Sequence, residues 1–233
     1  MRKSVCSRSN FCHGYDIIFV TNKATESSIA MSSYKEKILH RIRAFAPHMV
    51  FCVNDFLDIA PNATVRQILK RLADDEEIKR VIEGFYYAPK YSELISEYEA
   101  VSVHELALAI ARKYNWNIAP YNSTALNLLG LSTQVPTHYK YISSGRDKAF
   151  AVGNTILEFK RVNPGEIANM SLKTATVIQA IKSLGKHNIS RDSILKIRAH
   201  LSKIELLSLM NEAKSAPSWI YEVIREVAGG KNE

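Results

Sequence analysis

From Ser33 to Phe45 the apolar positions Ile38, Ile42 and Phe45 recur at helical spacing, with Lys35, Lys37, Arg41 and Arg43 between them. That pattern predicts an amphipathic helix, ended by Pro47. Phe51-Cys52-Val53 reads as a short extended link, and Asn54 as the cap of a brief helix through Ile59 that Pro61 closes. Asn62 then caps a third helix, in which Val65, Ile68, Leu69 and Leu72 form the i, i+3, i+4, i+7 stripe that faces a core. Beyond the acidic run Asp74 to Glu77, the β-prone segments Ile78–Ile82 and Phe85–Tyr87 flank Glu83-Gly84, which predicts a hairpin. Three helices followed by a hairpin is the order of a winged helix-turn-helix.

After Pro89 the pattern changes, and a second domain is expected. Ser102 with Glu105 makes a capping box for a helix through Leu106 and Ile110 to Tyr114, and Trp116 to Ala119 reads as a short strand stopped by Pro120. A brief helix follows, capped by Asn122 or Ser123 and ended by Gly130, whose freedom at positive φ suits a helix C-terminus. Segments 137–143 and 149–162 read as strands, the second folded back at Gly153-Asn154. From Leu172 onward the chain is helical, with breaks at Gly185 to Ser190, near Ser202 and at Pro217. The fold class is therefore α+β: an N-terminal winged helix-turn-helix, then a mixed α/β domain with a helical C-terminal part. The expected boundaries are 1–30 for a disordered leader, 31–90 for the winged helix and 91–233 for the rest. Met31 offers an alternative start.

Composition changes this picture little. With 46% hydrophobic and 23% charged residues, the 233-residue chain has the make-up of a globular protein. The net charge of +8 invites a nucleic-acid partner, yet segment by segment the basic and acidic counts run four and two (1–30), ten and eight (31–90), seven and seven (91–171), ten and six (172–233). No segment is a polybasic arm. Three cysteines, Cys6, Cys12 and Cys52, with no zinc-ligand spacing, fit a reduced cytoplasmic chain, and no apolar run is long enough to cross a membrane. No metal or cofactor motif is present, Gly229-Gly230 lacking the strand and helix of a phosphate loop.

Candidate chemistry centres on the third helix. With its apolar stripe buried, Thr64, Arg66, Gln67, Lys70 and Arg71 remain outward. Arg66 and Gln67 lie in the first turns and are long enough for bidentate contacts to base edges. Lys70 and Arg71, and Lys79 and Arg80 in the wing, suit phosphate. Asp74 to Glu77 and Glu83 oppose this unless they point away.

The segments Phe56–Asp58, Val65–Leu72, Ile78–Arg80 and Gly84–Tyr87 resemble the winged-helix region of AbiEi-type antitoxins. So do Val103–Ala107, Ile118–Pro120, Ala125–Pro136 and Tyr141–Gly145 for the segment that follows it, the Asn-Leu-Leu-Gly-Leu to Val-Pro stretch being the more distinctive part. The resemblance covers roughly residues 35–162. It implies a transcriptional autorepressor that binds double-stranded DNA in its own promoter; an inverted repeat suits two winged-helix heads geometrically, and no motif points to an enzyme. It also implies an antitoxin that counteracts a nucleotidyltransferase-type toxin without a stable complex. Glu83 departs from the pattern, since a basic residue is expected beside the wing glycine.

Two other readings compete. Glu158-Phe159-Lys160 on a strand has the form of half a metal-dependent nuclease site, with Glu105 as the second carboxylate; alternating charge on a solvated strand accounts for it more simply. A protein-interaction module with a winged helix that no longer binds DNA fits the acidic residues around the wing. Tyr114, Trp116, Tyr121, Tyr139 and Tyr141 are read as core rather than as base-stacking platforms. Lys182, Lys186, Arg191, Lys196, Arg198 and Lys203 are read as a solvated helical face.

Overall fold

The structure is a computed structural model that describes residues 23–93, 96–167 and 169–229. Helix α1 (Lys23–Ala44) leads by a three-residue strand, β1 (Val50–Cys52), and a 3-10 turn (Val53–Phe56) into α2 (Asn62–Asp74). The hairpin β2 (Lys79–Ile82) and β3 (Phe85–Tyr87) follows. Val65, Ile68, Leu69 and Leu72 of α2 are at most 1% exposed, and they pack with Ile38 and Ile42 of α1 and with Phe51, Phe56 and Ile78. Burying each such side chain is worth about 1.5–3 kcal/mol, which accounts for the fixed rotation of α2 about its axis. Phe45, Phe51 and Phe56 close this core with ring centroids 5.6–5.9 Å apart.

Several local expectations differ from the structure. Helix α1 begins at Lys23 rather than Ser33, so residues 23–30 of the expected leader are helical, while 1–22, with Cys6 and Cys12, lie outside the described residues. Pro61, not Asn62, is the N-cap of α2 and makes no side-chain cap bond; Asn62 is the first helical residue. The second helix is only the 3-10 turn, with Cys52 rather than Asn54 at its N-cap, where the Asp55 carboxylate accepts from the Cys52 N–H at 2.8 Å. The extended link is a true strand: β1 pairs antiparallel with β3, Val50 opposite Tyr87, giving a three-stranded sheet of order β1-β3-β2.

This sheet has a core on each face. Val50, Cys52, Phe85 and Tyr87 point away from α2 and pack on α3 (Val103–Tyr114), through Leu106, Ala107 and Ile110. Ser102 accepts from the Glu105 N–H to start α3, and Asn115, at φ 53°, ends it. Arg112 of α3 donates to the Val50 carbonyl at 2.7 Å and to Asp55 at 3.1 Å, tying helix to sheet. A small hairpin, β4 (Tyr91–Ser92) and β5 (Glu97–Tyr98), precedes α3.

The second sheet contains β6 (Ile118–Pro120), β7 (His138–Ser143), β8 (Lys148–Val152) and β9 (Thr155–Arg161) in the order β6-β7-β9-β8. β8 and β9 form the expected hairpin, with Gly153 at φ 55°, and β9 returns parallel to β7. Tyr141, Leu157 and Phe159 of its near face join the core under α3. Its far face, at Ala119 and Ile142, meets Ile167 of the preceding connection and Ala175 of α5 (Leu172–Leu184). The short helix α4 (Ser123–Leu128), α5, α6 (Arg191–Ala199), α7 (Lys203–Glu212) and α8 (Ser218–Ala228) share the last core, built on Val177, Ile181, Ile197, Leu209, Ile220 and Ile224. The architecture is the expected α+β class, with helix breaks at the expected places. No described helix is long and apolar enough to cross a membrane.

Candidate nucleic-acid interface

Helix α2 and the wing diverge from the shared sheet, and the space between them is a groove of about 950 Å³. One wall carries Asn62, Arg66 and Lys70, which follow one another at i, i+4, i+8 along α2. The opposite side carries Arg80, Ile82 and Tyr86 of the wing. The hairpin can turn tightly because Gly84 sits at φ 77°, where a side chain would be strained. Lys113 and Tyr114 at the end of α3, and Lys148 and Phe150 of β8, complete the groove.

Five cations therefore converge on one groove: Arg66, Lys70, Arg80, Lys113 and Lys148. Two acids, Asp74 and Glu83, share it. None of the five cations is ion-paired among the described residues, whereas Lys35, Arg41, Arg112, Lys140 and Lys196 all have carboxylate partners. Lys113 instead lies 4.6 Å over the Phe85 ring, and Lys148 lies 4.7 Å over Tyr114 and 4.8 Å over Phe150. Lys148 also donates to the Tyr114 hydroxyl at 3.0 Å. This hydrogen bond, with the nearby Lys113 and Arg146, holds the Tyr114 phenol below its ordinary range, outweighing burial.

Of the residues expected to bind DNA, Arg66, Lys70 and Arg80 are brought together. Gln67 and Arg71 are exposed on α2, outside the groove lining, and Thr64 is half-buried there. Lys79 points elsewhere, its ammonium lying 4.3 Å over the Tyr98 ring of β5, which stacks edgewise on Tyr91. The acidic run divides: Asp75 and Glu77 turn to Lys35 on α1, at 3.5 and 3.1 Å, while Asp74 faces the groove. Lys113 and Lys148 escaped the sequence reading, since nothing local to residues 113 or 148 announces that the fold sets them beside residue 66.

The remaining candidates have ordinary structural surroundings. Glu158 pairs with Lys140 at 3.9 Å and lies 2.8 Å from the His138 imidazole, a contact at ion-pair distance without hydrogen-bond alignment. Glu105 is on α3, which covers the opposite face of that sheet, the face bearing Phe159. Among the described residues no group of three His, Cys, Asp or Glu side chains could hold a metal. Tyr141 is fully buried and shares a 2.9 Å hydrogen bond with His104. Trp116 stacks on Tyr114 and meets Phe159 edgewise, and Tyr121 is exposed rather than core. Cys52 is buried, and burial followed by the Asp55 charge pushes its thiol upward, away from the reactive thiolate. In the C-terminal basic set, Lys196 pairs with Asp192 at 2.9 Å, and the other five side chains are exposed.

No curated protein matches the sequence. Among solved structures, the crystal structure of the RV2827C protein from Mycobacterium tuberculosis is similar at 10% identity, over 85% of this chain and 77% of that chain, with a TM-score of 0.38. A family model matches residues 37–209, from α1 into α7 and so across both sheets and most of the helices. The chain belongs to DUF6088, a family of unknown function.

Proposed function

We propose that this protein is a winged-helix DNA-binding repressor that acts as the antitoxin of a toxin-antitoxin pair. The observation that carries the DNA-binding half is the convergence of Arg66, Lys70 and Arg80, none of them neutralised by a carboxylate partner among the described residues, on the groove between α2 and the wing. In this reading α2 is the recognition helix. Its first turns meet base edges in the major groove through Arg66 and Gln67, and Lys70, Arg71 and Arg80 engage the sugar-phosphate backbone, while Lys79, turned to the Tyr98 ring, takes no part. The natural target is double-stranded DNA in the protein's own promoter, with inverted repeats accommodating two copies of the winged helix.

The antitoxin half is supported by the resemblance of residues 125–136 and their neighbours to AbiEi-type antitoxins. There the partner is a nucleotidyltransferase toxin, counteracted without a stable complex in the bacterial cytoplasm. A promoter-reporter fusion tests the first half: the wild type represses its own upstream DNA, Arg66→Ala derepresses it, and equal repression by both refutes α2 as the reader. Co-expression with a growth-inhibiting nucleotidyltransferase toxin of the AbiE type tests the second: an antitoxin restores growth, and unrelieved inhibition refutes it.

A further inference from the structure

We propose that the nucleic-acid site extends beyond the winged helix, and that Lys113 and Lys148 are phosphate contacts supplied by α3 and the second sheet; this rests on the DNA-binding reading above. Three observations support it. Both residues line the same groove as Arg66, Lys70 and Arg80, although they lie well outside the helix-hairpin unit. Neither has a carboxylate partner among the described residues, and both are held by rings instead: Lys113 over Phe85 of the wing, Lys148 over Tyr114 and Phe150. A ring face fixes an ammonium without cancelling its charge, so the cation stays available to an anion. The two positions are also firmly placed. Lys113 is in the last turn of α3, which the Arg112 bonds to Val50 and Asp55 clamp to β1, and Lys148 opens β8, whose whole length pairs with β9.

The ligand class follows from the groove's chemistry. Its cations come from α2, the wing, α3 and β8, which suits a run of successive phosphates better than one isolated phosphate group. Tyr114 adds a neutral hydroxyl at the point where Lys148 is anchored. In B-DNA such a run is the sugar-phosphate backbone flanking the groove that α2 enters.

Each phosphate contact releases counterions, so log K against log salt has a slope of about −0.9 per contact. The test is a fluorescence-anisotropy titration of the full chain against a labelled duplex from the DNA upstream of its own coding sequence, over a series of salt concentrations. Lys113→Gln with Lys148→Gln should make the slope shallower by about 1.8, while Lys113→Arg with Lys148→Arg should restore it. Circular dichroism of each variant checks the fold. Because the slope counts ions released, loss of folded protein alone lowers the apparent affinity at every salt and leaves the slope in place. A wild type that binds in an Arg66-dependent manner, with an unchanged slope in the Gln variant, overturns this inference and leaves the winged-helix reading standing. A wild type that does not bind the duplex at all overturns both.

Discussion

Gly145 follows β7 at the start of the turn into β8, and a methyl group there would meet the Trp116 ring at 2.1–2.3 Å. Such a contact cannot exist, so either the turn or the indole must move. The indole has little room: it stacks on Tyr114 with centroids 4.9 Å apart and packs edgewise on Phe159 at 5.7 Å, within the core under α3. The turn is held too, since the Gly145 N–H donates to Ser143 at 2.9 Å and the Ser144 N–H to the Asn117 carbonyl at 2.9 Å. Overpacking a closed core costs about 1–3 kcal/mol, and full expulsion of a large aromatic about 3–5 kcal/mol. Trp116 is only half-buried, so Gly145→Ala should cost about 2–4 kcal/mol. Urea unfolding followed by far-UV circular dichroism should show a lower midpoint at unchanged m-value. Trp116→Leu in the same chain removes the obstruction, and the double variant should be more stable than the sum of the two single changes implies. A loss below about 0.5 kcal/mol in the single variant, within the range of neutral surface changes, would refute the packing of Trp116 on Gly145.

Other outcomes follow from the same contacts. Arg112→Ala removes the donors to the Val50 carbonyl and Asp55 and should cost about 1–2 kcal/mol in thermal unfolding, toward the low end because the guanidinium is partly exposed. Burial, assisted by Lys173, lowers the His104 pKa, so folding favours the neutral ring. Its contribution is complete above the unfolded pKa, about 6.5, and is lost as pH falls through the depressed folded value. His104→Asn should therefore flatten the stability-pH curve below that point. The Glu212 carboxylate accepts from the Ser171 N–H and hydroxyl at 2.7 and 2.8 Å; although burial pushes its pKa upward, these bonds and Thr174 outweigh it and the net shift is downward. That stability is present above the unfolded carboxylate pKa and lost as pH falls through the folded one, so Glu212→Gln should be less stable than the wild type at neutral pH, with the difference shrinking toward zero in acid.

Much of the fold was legible because its determinants are local. The stripe Val65, Ile68, Leu69 and Leu72 fixes the buried face of α2, Ser102 starts α3, and Gly185, Ser202 and Pro217 punctuate the C-terminal helices. The same stripe leaves Thr64, Arg66, Gln67, Lys70 and Arg71 outward together, but which of them face the wing was not legible: only Arg66 and Lys70, four apart, line the groove. What escaped is long-range. The β1 strand is three residues long and becomes a strand only through pairing with residues 85–87. The second apolar face of the wing sheet shows merely as Val50, Cys52, Phe85 and Tyr87 alternating with residues of the first, and their partners on α3 lie beyond the expected boundary at residue 90. For the same reason Lys113 and Lys148 gave no signal. Lys79, although adjacent to Arg80, points to the other side because side chains alternate along a strand.

The central claim, that α2 and the wing read DNA, is tested most directly by titrating the purified chain against labelled duplexes of its own upstream sequence and of a scrambled sequence, with Arg66→Ala alongside. The account predicts tighter binding to the upstream duplex. Arg66→Ala should weaken that binding by about 1–3 kcal/mol, roughly 5- to 150-fold, and leave the scrambled duplex much less affected. Equal affinity for both duplexes, or an Arg66→Ala variant that discriminates between them as well as the wild type does, would contradict it.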